Sequence, residues 1–115
     1  DKEPLNTVQM SDSTVRAVKE GMHNLTTGSL SYYFSKCVVS AGAKTGTAET
    51  GINNTNNGVF VCFAPYDDPQ IAVAVVIEKG GSGAALASTA VDIVNSYFSQ
   101  EEIGAVIIGE NTLLK

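Results

Sequence analysis

A chain of 115 residues is long enough for one compact domain and no more. Hydrophobic residues make up 43% and charged residues 17%, below the roughly 25% of an average soluble domain, which excludes a disordered acidic tail. The net charge of −5, with Lys+Arg 7 against Asp+Glu 12 and no basic cluster, argues against nucleic acid and anionic membranes as partners.

In chain order, the polar residues 1–10 with Pro4 read as a lead-in loop. Ser11 is placed as an N-cap, and Asp12 puts a carboxylate in the first turn, where it suits the helix dipole. Val15, Val18, Met22 and Leu25 then form the stripe of an amphipathic helix that Thr26-Thr27-Gly28 ends. The aromatic stretch Leu30 to Phe34 fits either a short helix or a packed loop. From Cys37 to Ala48 the sequence is β-prone but rich in small residues, and Gly42 and Gly46 predict a strand whose backbone something approaches closely. The Asn-rich stretch Glu49 to Asn57 reads as an exposed loop.

Gly58 to Ala64 and Ile71 to Ile77 are apolar on both faces, as strands in the middle of a covered sheet are. Pro65 to Pro69 forms the turn between them. The small face Ala72, Ala74, Val76 invites a helix to lie close, and Leu86, Ala90, Ile93, Val94 and Tyr97 supply one at helical spacing. The run Ala105-Val106-Ile107-Ile108 predicts an extra strand or a flexible tail within 99–115. The fold class is therefore α+β, an antiparallel sheet of three or more strands flanked by helices. The longest apolar run, Ile71 to Ile77, is far short of the about 20 residues of a membrane span.

Most chemistry-bearing residues read as structural. Cys37 and Cys62 lie in apolar, strand-like surroundings and read as free buried thiols. His23 is the only histidine, so no metal site is expected, and it reads as a partly exposed helix residue. Asp67-Asp68 reads as turn chemistry.

Gly42-Ala43-Lys44-Thr45-Gly46-Thr47 is different. A phosphate loop needs glycine directly before its lysine, and Ala43 stands there. A strand carrying Lys44, Thr45, Gly46 and Thr47 instead offers a cation, two hydroxyls and a gap without a side chain. The cation and hydroxyls suit a carboxylate, the gap lets a substrate lie along the strand, and the strand's N–H groups suit an oxyanion. Alone, the tripeptide is weak, because chance supplies it in roughly a few per cent of chains this long.

Its surroundings strengthen it. The runs Ala41 to Glu49, Gly58 to Pro65 and Ile71 to Glu78, the Gly80-Gly81 turn and the helix segment Val18 to Met22 together resemble the penicillin-binding protein transpeptidase domain, most nearly its class B, monofunctional type. The likeness covers about residues 11 to 98 and places the chain within the β-lactamase/transpeptidase-like fold. Of the three motifs of that family, only Lys-Thr-Gly is present; no serine stands three residues before a lysine, and no Ser-x-Asn occurs.

The resemblance implies that residues 1–115 are a C-terminal fragment of a peptidoglycan D,D-transpeptidase that works through an acyl-serine, and that this piece alone is inactive. Lys44 would then set the electrostatics of the cleft, Thr45 and Thr47 would hold a carboxylate, and Gly46 would leave room for the ligand. The Thr47 N–H would complete the oxyanion hole. The partner implied is a stem peptide or a β-lactam, with no cofactor, and the location is the outer face of the bacterial cytoplasmic membrane, with the anchor in the parent. The cut sheet edge would pair either with the tail run Ile103 to Ile108 or with a second copy of the chain. The alternative is a non-catalytic penicillin-binding-like module, or an α+β domain that holds a partner.

Overall fold

The computed structural model describes the backbone of residues 2–53 and 55–113, with side chains up to residue 100. Helix α1 spans Asp12–Thr27. The Ser11 hydroxyl accepts from the Thr14 N–H at 3.2 Å, and the Gly28 N–H donates to the Asn24 carbonyl at 2.9 Å, so both ends finish where their capping residues stand. Only the C-terminal half of its apolar stripe packs. Met22 and Leu25 are half-buried, whereas Val15 and Val18 remain exposed. A single turn, α2 (Ser31–Phe34), follows and settles the aromatic stretch as helical.

Strands β1 (Gly42–Glu49), β2 (Asn56–Ala64) and β3 (Ile71–Ile77) form an antiparallel sheet in the order β1-β2-β3. The register pairs Lys44 with Val61, Thr45 with Phe60 and Gly46 with Val59. The strand predicted from Cys37 begins only at Gly42. Ahead of it, the Asn95 side chain takes over the role of a neighbouring strand: its amide N–H₂ donates to the Lys36 carbonyl and its oxygen accepts from the Val38 N–H, both at 2.9 Å. Local β-propensity loses there to a tertiary contact.

A 3₁₀ turn, η1 (Gly83–Leu86), leads into α3 (Ala87–Leu113). The backbone of α3 stays helical through 103–108, where the β-prone run predicts a strand or flexible tail. Extending an existing helix needs no new nucleus, which favours continuation over a separate strand.

The core lies on one face of the sheet. Phe60, Cys62, Ala64 and Val73 are buried there against Leu86, Ala87, Ala90 and Val94. Phe60 and Val94 are fully enclosed, and burying side chains of this size stabilises by about 1.5–3 kcal/mol each. Two expectations change. The helix covers the face carrying Val73 rather than the small face, so Ala72, Ala74 and Val76 are exposed. On α3, Val91 is buried where Ile93 was expected, and Ile93 is 40% exposed. Rather than lying mid-sheet, β3 is an edge strand among the described residues.

Candidate functional site

Lys44, Thr45, Gly46 and Thr47 stand in the middle of β1, an edge strand of the described sheet. Strand alternation sends the Lys44 side chain to the face of its partner Val61. Thr45 and Thr47, opposite Phe60 and Gly58, belong to the other face. The cation and the two hydroxyls therefore share the strand's outer edge but no single face. Lys44 and Thr47 are exposed, while Thr45 and Gly46 are half-buried. The Lys44 ammonium donates to the Thr45 carbonyl at 2.6 Å.

Three glycines shape the strand's inner side. A side chain on Gly83 would run into the carbonyl oxygens of Gly46 and Val59. One on Gly58 would meet the Ser82 carbonyl oxygen at 3.4 Å. These contacts bring η1 against the backbone of β1 and β2 directly. Gly46 itself is under less pressure. A Cβ there would lie 3.4 Å from the Val59 Cβ and 3.7 Å from the Val59 oxygen, which is ordinary contact.

The start of β1 is held from α1. The Ala41 carbonyl, in a residue only 2% exposed, receives His23 Nδ1 at 3.0 Å and the Thr26 hydroxyl at 2.7 Å. The His23 ring stacks on Tyr66 at 4.2 Å between centroids, and Lys19 Nζ lies over the Tyr66 and Phe63 rings at 5.4 and 5.8 Å. A side chain on Gly42 would lie 2.6 Å from the Phe63 ring and 3.2 Å from the Met22 Cβ, so α1 approaches the strand closely here. The sequence carries no local signal of these partnerships.

At the far end of β1 the loop 50–55 closes on itself. The Thr50 hydroxyl donates to the Thr55 carbonyl at 2.6 Å, and Gly51 and Asn53 take left-handed φ values of 68° and 51°. Beyond it a polar cavity of about 430 Å³ is lined by Glu49, Gly51, Asn53, Thr55 and Asn56. The loop's two threonines were the available sequence signal for this closure. No cluster of metal-ligating side chains occurs among the described residues. Burial raises the Cys37 thiol above its ordinary value, and pushes Cys62 up to about 11 with Cys37 adding to the effect; both thiols are free.

The penicillin-binding protein transpeptidase domain, as a family model, matches residues 1–97. Penicillin-binding protein 2B of Streptococcus pneumoniae is 37% identical over 108 residues, covering 81% of this chain and 15% of the relative. Peptidoglycan D,D-transpeptidase MrdA of Escherichia coli is 35% identical over 85 residues, covering 59% of this chain and 13% of the relative. Among solved structures, penicillin-binding protein 2B from Streptococcus pneumoniae superposes with a TM-score of 0.71 at 33% identity, over 84% of this chain and 17% of that one. The chain thus spans a small part of the length of the proteins it matches.

Proposed function

The chain belongs to the penicillin-binding protein transpeptidase family, and we propose that it supplies the carboxylate-binding and oxyanion-hole strand of a peptidoglycan D,D-transpeptidase. In this reading residues 1–115 are the C-terminal part of the transpeptidase domain. The nucleophilic serine comes from elsewhere in the parent. Its oxygen bonds to the carbonyl carbon of the donor stem peptide and the terminal residue leaves with the serine proton; an acceptor amine then bonds to the acyl carbon, the ester bond to serine breaks, and the amine's proton returns to the serine oxygen. Negative charge gathers on the carbonyl oxygen during each attack. The Thr47 N–H donates to that oxygen, and the Lys44 ammonium makes the potential around it positive. Thr45 and Thr47 hydroxyls hold the substrate's carboxylate, or that of a β-lactam. Because the polymer lies outside the cell membrane, the parent domain works on its outer face.

One observation carries the reading. Gly46 sits between Thr45 and Thr47 on an edge strand of the described sheet, yet its packing among the described residues would accept a methyl group. The reason for a glycine is then external: a ligand laid along the strand's open edge. The test is acylation of the complete domain by a fluorescent penicillin. Lys44→Ala is expected to lower the second-order rate constant on the order of 10²–10³-fold while the fold survives. An unchanged rate constant removes Lys44 from the site, and a wild-type domain that takes up no penicillin favours a non-catalytic module.

A further inference from the structure

We propose that His23 is a positioning residue for Lys44, acting through the Ala41 carbonyl; the proposal rests on the role given to Lys44 above. The pairing of β1 with β2 starts at Gly42, so the buried Ala41 carbonyl lies ahead of the ladder and depends on side chains for its hydrogen bonds. Two side chains from successive turns of α1 converge on it: His23 Nδ1 at 3.0 Å and Thr26 Oγ1 at 2.7 Å. Thr26 has one hydroxyl proton, and its oxygen also lies 2.8 Å from the His23 carbonyl. That proton is divided between two acceptors, so His23 supplies the undivided donor.

A carbonyl oxygen only accepts. The bond therefore fixes the neutral imidazole with its proton on Nδ1. The ring cannot swing away easily, because it stacks on Tyr66, whose own N–H donates to the Ser40 carbonyl at 2.9 Å. Imidazole, phenol ring and strand entry form one closed circuit. Lys44 stands three residues beyond Ala41, about 10 Å along the strand and ahead of Thr45 and Thr47, so it is the site residue that a loosened entry reaches first. A loosened entry is passed on to the Lys44 ammonium, and misplacing a catalytic group by about 1 Å costs up to about 10²-fold in rate.

The variant of choice is His23→Phe, which keeps a ring on Tyr66 and removes the donor. In the complete domain it is expected to lower the acylation rate constant about tenfold or more, with the affinity of the non-covalent penicillin complex unchanged. In a Lys44→Ala background the same substitution is expected to change nothing further, because the group it positions is gone. An equal loss in both backgrounds, or no loss in either, overturns the positioning role. A wild-type domain that takes up no penicillin overturns the functional reading and the positioning role together. The clamp is read separately in the 115-residue chain by imidazole nitrogen NMR. A dominant Nδ1–H tautomer is expected, and a dominant Nε2–H tautomer overturns the clamp whatever the parent domain does.

Discussion

Gly83 backs directly onto Gly46: any side chain on the first would strike the carbonyl oxygen of the second. The strand that carries the site is thus pressed from beneath by a bare backbone, while its own missing side chain faces the other way. The two glycines should respond in opposite fashion to alanine. Gly83→Ala must push η1 off the sheet, an overpacking cost of about 1–3 kcal/mol or more. Gly46→Ala should stay within about 1 kcal/mol of wild type, as a strand methyl in ordinary contact does. Urea denaturation of both variants measures the difference, and equal losses would contradict the geometry.

The chain by itself should form no covalent adduct with penicillin, since none of its serines has a lysine three residues on. Intact-mass measurement after incubation with excess benzylpenicillin checks this. A stable gain of one acyl group mapped to a serine in this chain would sink the assignment of the nucleophile to the rest of the parent.

Cys62 gives a pH dependence with a definite sign. Burial, with Cys37 adding to it, lifts its folded value from 9.0 to about 11, so the folded state holds its proton over a range where the unfolded thiol has lost it. Unfolding there releases a proton, and stability is fully present below pH 9 and falls as pH rises toward 11. Thermal melts from pH 8 to 11 should show this decline, and Cys62→Ala should flatten it. A decline equally steep in the variant would assign it to other groups.

The edge of β3, unpaired among the described residues, should draw a second copy of the chain. Val76 is 61% and Ile77 43% exposed on this edge strand, and apolar edges recruit strands. Light scattering over a concentration series should show the mass doubling, and Val76→Lys should shift the equilibrium toward monomer. A monomer at every concentration would show that the edge stays unpaired.

What could be read from the sequence was whatever depends on near neighbours. Ser11 and Gly28 announce the ends of α1, and the turn at Pro65 between the apolar runs Gly58 to Ala64 and Ile71 to Ile77 announces β2 and β3. Lys44 to Thr47 could be picked out because their residue types and spacing are themselves the signal. What escaped depends on residues far apart along the chain. His23 meets Ala41 across 18 positions, and Asn95 meets Val38 across 57. Which face of the sheet α3 covers escaped as well, because strands apolar on both faces leave that choice open. Lys44 and the two threonines looked like one cluster in sequence, but strand alternation divides them between faces.

Asn95 has a consequence for anyone grafting pieces between related domains. Its one side chain occupies a carbonyl and an amide on either side of Cys37, tying the last helix to the lead-in of the site strand. A chimaera joined anywhere between residues 39 and 94 takes the lead-in from one parent and the tether from the other. Where the donor of the helix lacks an amide at this position, the Lys36 carbonyl and Val38 N–H are released to water and the lead-in of β1 loses its tie to α3. Crossovers before residue 36 or after 95 keep the tether whole.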